Sequence, residues 1–391
     1  MPRASVVHMA STATRPQHMS QVLATLALSM GTLSSGLAKG YTSPALDSIL
    51  DNQRPHLYQS SNNDTWSVLS VTQQEASWVA SLSMLGAWFG AMIGDWIMRR
   101  GRRLALRATS LPLAAAWILT GVAPCVELVY VTSFIGGLCC SVITMVAQVI
   151  KTNILASRAK QYELSFKNSV FTPRLYKPIA ITCGLMFFQR FSGANAFNYY
   201  AVIIFRQTLG GMNPHGATIA IGFVQLLAAL LSGFLIDIVG RLPLLIASTV
   251  FMSLALAGFG SYAYYVSKTP NLGYVDSAVV GQHDWIPLLC VLVFTTALAL
   301  GISPISWLLI GELFPLEYRG LGSSISTSFS YFCAFFGIKL FMDFQQSLGL
   351  HGAFWFYAGV AICGLCFVVC CVPETKGKQL DEMNPDYAQA R

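Results

Sequence analysis

Long apolar runs separated by short polar segments dominate this sequence. A run of about 20 apolar residues is long enough to cross a bilayer as a helix, and ten such runs occur. They cover residues 21–40, 77–98, 104–124, 128–150, 178–205, 216–237, 243–266, 286–308, 321–342 and 352–372. The pattern therefore predicts an all-α, polytopic membrane protein with about ten transmembrane helices.

The run 178–205 differs from the others because it contains a polar insertion. Residues 187–200 read FFQRFSGANAFNYY and include Gln189, Arg190 and Asn195. Polar side chains inside a membrane span are costly and usually face a protein interior or a watery cavity, so we expect a binding site here. Ser192 and Gly193 predict a local helix break of the kind that lines transporter sites. On an unbroken helix Asn195 points away from Gln189, and a break would let the two meet.

Composition supports a membrane protein. Charged residues make up 10% of the 391 residues and apolar residues 54%, which excludes an ordinary soluble domain. The net charge of +7 does not indicate nucleic acid, because the basic residues flank the spans without interleaved aromatic residues. The sequence also has no nucleophile–base–acid arrangement, metal-ligand cluster or phosphate loop. We therefore predict neither an enzyme nor a bound cofactor or metal.

The positions of Lys and Arg predict the orientation, since short cytoplasmic loops carry an excess of both. Five arginines lie within 99–107, and six basic residues lie in the connector 151–177. Both segments are predicted to be cytoplasmic, and with ten spans both termini are cytoplasmic as well. The long loop 41–76 then lies on the opposite side, where Asn63 begins an acceptor pattern for glycosylation.

Several motifs resemble one family. They are two Gly-Arg turns at 101–102 and 240–241, the run 189–200, the segment GISPISWLLIGELFPLEYRG at 301–320, and PETKG at 373–377. Together they resemble the sugar porter family of the major facilitator superfamily, and YTSPAL at 41–46 is similar to the facilitated trehalose and glucose transporters within it.

The resemblance implies a bundle of two six-helix halves, yet the first half here has only four spans, so two spans are missing from a 4 + 6 arrangement. The expected divisions are a cytoplasmic N-terminus, an incomplete N-terminal bundle, a basic linker, a C-terminal six-helix bundle and a cytoplasmic tail, at residues 1–20, 21–150, 151–177, 178–372 and 373–391.

The resemblance also implies a substrate site. Gln189 and Asn195 match the sugar-binding amides of the family, Gln225 aligns with a sugar-binding Asn, and Trp307 matches a tryptophan that lies against the sugar. Arg190 stands where the family usually has a second Gln and is expected among the substrate-binding residues. It either faces a cavity connected to the cytoplasm or alters which substrate is accepted. Gly301 and Pro304 would loosen the helix that carries Trp307.

A cytoplasmic gate is the second expected site. Ion pairs at span ends can close one face of a carrier and break when the halves rock. The gate residues implied by the resemblance are Arg102, Arg103, Asp237, Arg241, Glu312, Arg319, Glu374 and Lys376. Ordinary solvated loop charge is the alternative interpretation.

The function implied by the resemblance is facilitative transport of a sugar, a hexose or trehalose, by alternating access. The acids near spans lie at their ends, and none lies in the first span, which disfavours proton coupling. The alternative is a truncated, transport-incompetent form that acts as a sensor or partner or is inactive. The expected partners are the sugar and the lipid bilayer, with the plasma membrane as the location. The sequence leaves the sugar and the oligomeric state open.

Overall fold

The computed structural model describes most of the chain as helices joined by short segments. The described residues are 26, 29–37, 40–51, 72–155, 173–209, 213–268, 285–314 and 319–375, and none of them forms a strand. Eleven helices with defined ends lie within these ranges, and residues 29–37 are helical as well. They are α1 (Thr42–Asp51), α2 (Gln73–Arg100), α3 (Arg102–Gly121), α4 (Val126–Leu155), α5 (Pro173–Phe191), α6 (Ala194–Thr208), α7 (Pro214–Val239), α8 (Arg241–Lys268), α9 (Trp285–Leu300), α10 (Ile302–Leu313) and α11 (Arg319–Cys371).

Seven helices in the described part of the chain are long and apolar enough to cross a membrane. The last of them, within α11, contains two predicted spans, because Gly349 has non-helical backbone angles (φ 73°, ψ 170°) that divide this helix. The predicted span 178–205 corresponds to α5 and α6, and the first predicted span lies partly outside the described residues. The all-α, polytopic prediction is confirmed.

One segment differs from expectation. The sequence predicts a long loop after the first span, but the first part of this segment forms α1. Pro44 stands in the first turn of this helix, where the backbone N–H that proline lacks would have no helical partner in any case. Helix formation there brings Asp47 into the protein, where it is 3% exposed.

Close helix packing defines the part of the bundle before residue 156. Gly86 and Gly90 of α2 lie directly against the backbone of Phe134 and Leu138 in α4, and a side chain at either glycine would collide with those atoms. Small residues at this spacing allow two helix backbones to approach closely. The contact fixes α2 and α4 together as one wall of the bundle.

A single large core joins the parts of the chain before and after the undescribed residues 156–172. Met84 and Ala87 of α2 belong to this core together with Tyr200 of α6 and Phe341 of α11. Tyr200 stacks on Phe341 with ring centroids 5.0 Å apart. The polar insertion of the sequence therefore lies at the centre of the molecule, between the two parts.

Candidate functional site

The polar insertion folds as a broken helix. Helix α5 ends at Phe191 and α6 begins at Ala194, so the interruption falls on Ser192 and Gly193, the pair at which we expected it. Gly193 has φ 82°, which side-chain-bearing residues rarely adopt. A Cβ on Gly193 would also lie 2.8 Å from the Tyr357 ring. Glycine is therefore required at this position by both backbone angle and space.

Arg190 lies in the last turn of α5, directly before the break. Its Nε donates to Ser330 Oγ at 2.9 Å, and its Nη1 donates to Asn195 Oδ1 at 3.1 Å. The guanidinium carbon lies 5.8 Å from the centre of the Trp307 ring, near the outer limit for a cation–π contact. The break thus brings Asn195 to Arg190, and Arg190 connects α5, α6, α10 and α11. We call Gln189, Arg190, Asn195, Trp307 and Ser330 the Arg190 cluster.

Two amides of the Arg190 cluster keep unused hydrogen-bonding atoms. Gln189 is 4% exposed and Asn195 is 7% exposed. Gln189 Oε1 and Asn195 Nδ2 have no hydrogen-bond partner among the described residues. Buried polar atoms without partners are rare in proteins and call for a reason such as a ligand. Together they offer one acceptor and one donor.

Trp307 is carried by a second broken helix. Gly301 separates α9 from α10, and Ser248 Oγ bridges the gap by donating to Ala297 O at 2.7 Å and accepting from the Ile302 N–H at 3.1 Å. Pro304 stands in the first turn of α10. Trp307 packs half-buried against Met186, Ile310 and Phe314.

The predicted substrate residue Gln225 lies apart from this group. It is half-buried in α7, and no hydrogen bond among the described residues joins it to the Arg190 cluster. The structure therefore brings together four of the five predicted substrate residues.

A cavity of about 180 Å³ lies beside the cluster, in the part of the chain before residue 156. Its walls come from α1 to α4 and include Trp117, Thr132 and Ser141, and Tyr331 of α11 closes one side. None of the five predicted substrate residues lines this cavity. Tyr331 directly follows Ser330 of the Arg190 cluster in α11, so the cavity and the cluster are neighbours at this helix.

The predicted gate residues form a charge network at the Arg241 end of the helices. Arg241 Nη2 lies 3.0 Å from Glu312 Oε1 and 3.9 Å from Asp237 Oδ1. The Glu374 carboxylate accepts the backbone N–H groups of Arg241 and Leu242 at 3.2 and 2.9 Å, where it stabilises the start of α8.

This network joins α7, α8, α10 and the segment after α11, all within the part of the chain after residue 172. The side chains of Arg102, Arg103 and Arg319, together with Lys376 and the glycosylation candidate Asn63, lie outside the described residues.

The opposite end carries contacts between the two parts that the sequence did not predict. Asp47 Oδ2 lies 2.7 Å from Arg206 Nη2 and 3.4 Å from His215 Nε2. Lys339 Nζ donates to Ser77 Oγ at 2.6 Å and lies 4.4 Å from the centre of the Trp78 ring. The only sequence signal was the position of these charges near span ends, which does not reveal their partners.

Comparison with known proteins identifies the family. Residues 146–387 match the family model described as Sugar (and other) transporter, and residues 28–172 match that of the Major Facilitator Superfamily. The first match covers more than half of the 391 residues. The chain belongs to the sugar transporter family. The resemblance drawn from the motifs is confirmed, and the chain is an integral membrane protein of a family of carriers rather than of enzymes.

Relatives in this family include insect proteins. The facilitated trehalose transporter Tret1 of Apis mellifera ligustica is 27% identical, over 94% of this chain and 88% of the relative. The facilitated trehalose transporter Tret1-2 homolog of Drosophila simulans is 28% identical, over 93% of this chain and 90% of the relative. The first alignment runs over 463 positions, which exceeds the 391 residues here. These relatives therefore contain segments that have no counterpart in this chain.

Solved structures of another sugar transporter have the same fold. The inward open conformation of the xylose transporter XylE from E. coli matches with a TM-score of 0.66 and 19% identity, over 93% of this chain and 98% of that one. The proton:xylose symporter XylE bound to 6-bromo-6-deoxy-D-glucose matches with a TM-score of 0.67, also at 19% identity. At this identity the likeness shows the major facilitator fold alone.

Proposed function

We propose that this protein is a facilitative carrier that moves a sugar, a hexose or trehalose, across the membrane by alternating access. The observation that carries the proposal is the Arg190 cluster, in which a broken membrane helix buries amide atoms that lack partners among the described residues. A neutral polyol is recognised by directional hydrogen bonds from such groups and by an aromatic surface under the ring. Gln189 and Asn195 supply the hydrogen bonds, and Trp307 supplies the surface.

Alternating access requires contacts that can open at each end of the bundle. At one end, Asp47, Lys339 and their partners join the two parts of the chain. At the other end, the described contacts of Arg241 and Glu374 join elements after residue 172. We infer that the contacts at the Asp47 end hold the bundle closed there, and that opening of this end requires the Asp47–Arg206 pair to separate.

The proposed orientation places the Arg241 end in the cytoplasm. The basic segments 99–107 and 151–177 support this orientation, because an excess of positive charge is typical of cytoplasmic loops. The Asp47 end then faces outward, both termini are cytoplasmic, and the plasma membrane is the proposed location.

The division into four and six spans is part of the proposal. The alignments that are longer than this chain support two spans missing near the basic linker. Because an even number is missing, the later spans keep their direction. The acids of the described residues lie near helix ends, which favours facilitated diffusion over proton coupling.

Uptake of labelled glucose and trehalose by proteoliposomes that contain the purified chain tests this function. We expect flux above that of protein-free vesicles, and a loss of about tenfold in Gln189→Ala and in Trp307→Ala, since each removes one contact to the sugar. Wild-type flux no greater than that of protein-free vesicles would leave a transport-incompetent family member instead, and full flux in both variants would contradict the assigned site.

A further inference from the structure

Arg190 is a cation in the middle of the bundle whose partners are neutral. Ser330 Oγ and Asn195 Oδ1 accept from Nε and Nη1, and the guanidinium has five N–H groups to satisfy. The remaining N–H groups have no hydrogen-bond partner among the described residues. The nearest ionisable neighbours of Arg190 are Tyr331, Tyr199 and Cys333, which carry no charge at neutral pH.

No described carboxylate compensates this charge. The ion pairs of the described residues lie at the two ends of the bundle, at Asp47 and at Arg241, and no carboxylate oxygen in the described part lies within 4.0 Å of Arg190. A guanidinium at membrane depth is expensive unless an anion or water meets it. Arg190 is half-buried.

The groups around Arg190 are suited to the hydroxyls and the C–H face of a sugar. Gln189 Oε1 can accept a hydrogen bond and Asn195 Nδ2 can donate one, and both atoms are buried without partners among the described residues. The Trp307 ring lies on another side of the guanidinium. A ligand that satisfies all of these groups has hydroxyls for the amides, a C–H face for the ring and an anionic group for the arginine.

We propose that the site accepts a sugar acid, a monosaccharide with one carboxylate, and that Arg190 binds this carboxylate. The inference rests on the proposed transport function and changes its preferred substrate class from a neutral sugar to a sugar acid. A planar guanidinium pairs with a carboxylate through two parallel N–H···O bonds, and it discriminates against the neutral sugar because the neutral sugar leaves the cation unpaired. Arg190 is then the residue that determines specificity.

Binding to the purified full chain tests the inference with two probes that share one ring. D-Glucuronate carries a carboxylate where D-glucose carries a hydroxymethyl group, and both can be titrated by the change in tryptophan fluorescence. We expect glucuronate to bind about 10- to 100-fold more tightly than glucose. Arg190→Gln should remove this preference, and Arg190→Lys should retain part of it because the charge remains.

Arg107→Gln is the matched control, because Arg107 is an exposed arginine of α3 away from the cluster, and it should keep the full preference. If Arg190→Gln does not fold, the inference is tested by comparing the affinities for glucuronate and glucose in the wild-type chain and in Arg190→Lys. Equal affinities for the two sugars, no binding of either, or a preference unchanged in Arg190→Gln would overturn the inference.

Transport under a membrane potential separates this inference from the proposed function. An anion carried without a coupled ion moves charge, so a potassium diffusion potential of 100 mV, positive inside, should accumulate glucuronate roughly fifty-fold at equilibrium and leave glucose at its external concentration. Glucose flux without glucuronate binding would overturn the inference and leave the carrier function standing. Glucuronate binding without flux of either sugar would support the inference and contradict the carrier function.

Discussion

The parts of the chain before residue 156 and after residue 172 use their polar side chains in different ways. In the first part, hydroxyls mostly bond to carbonyls of their own helix, as Thr109 does to Ala105 O and Thr144 to Cys140 O, and a cavity remains between the helices. In the second part, hydroxyls likewise bond mostly within their own helix, as Thr249 does to Leu245 O, but several side chains also bond across helices, as Arg190 does to Ser330 and Ser232 to Leu300 O. We therefore expect the first part to supply space and the second to supply directional recognition.

Two glycines, one in each part, give the largest expected change in stability. Gly193→Ala places a side chain at φ 82° and against the Tyr357 ring, which should lower the free energy of unfolding by roughly 2–5 kcal/mol. Gly136→Ala in α4 adds a Cβ with no neighbour within 4 Å and should be neutral or stabilise by up to about 1 kcal/mol. Thermal unfolding of both variants in detergent measures the contrast. Equal losses would contradict the structural requirement for glycine at position 193.

A substitution in the charge network at the Arg241 end should lower the free energy of unfolding by a smaller amount. Glu312→Gln removes a partner 3.0 Å from Arg241, where both side chains are largely buried at 17% and 22% exposure, and also weakens the bond from Thr375. We expect a loss of about 1–3 kcal/mol in the same unfolding assay.

Asp237→Asn is the control for that network, because Asp237 is 78% exposed and 3.9 Å from the same arginine. Its loss should be below about 0.5 kcal/mol. A larger loss of unfolding free energy in Asp237→Asn than in Glu312→Gln would mean that the exposed ion pair, not the buried one, stabilises this part of the chain.

Weakening a contact between the two parts should cause the smallest change in free energy. Asp47→Asn weakens the pair with Arg206, whose side chain is 33% exposed, by roughly 1 kcal/mol, which shifts the population open at that end by about fivefold. Pulsed electron paramagnetic resonance measures the distance between spin labels placed at the exposed residues Ser48 and Gln207, one in each part. The exposed cysteines are replaced by serine for this experiment. Asp343→Asn, which weakens a 3.4 Å contact with Gln74 and an electrostatic interaction with Lys339 of its own helix, should change this distance less. An unchanged distance distribution in Asp47→Asn would contradict the closing role of this pair.

The sequence predicted the helices well because hydropathy depends on local composition. It also predicted the break at Ser192 and Gly193, since glycine weakens a helix locally wherever it stands in an apolar run. It could not predict that Asn195 meets Arg190, or that Asp47 meets Arg206 across 159 residues, because such pairs depend on how helices rotate and pack. The helix Thr42–Asp51 was not predicted because its polar residues are typical of a loop. The ion pair of Asp47 with Arg206, which the sequence does not reveal, holds this helix against the bundle.

The central claim is that recognition lies in the part after residue 172, and it can be tested with one atom chosen from each part among the buried polar atoms that lack a partner in the described residues. These are Gln189 Oε1 in the Arg190 cluster and Ser141 Oγ in the cavity wall. Uptake of labelled sugar by proteoliposomes should be measured side by side for the wild type, Gln189→Ala and Ser141→Ala. We predict a loss of about tenfold in Gln189→Ala and a change within about twofold in Ser141→Ala. Loss of uptake in Ser141→Ala with normal uptake in Gln189→Ala would contradict the account and place recognition in the cavity of the first part.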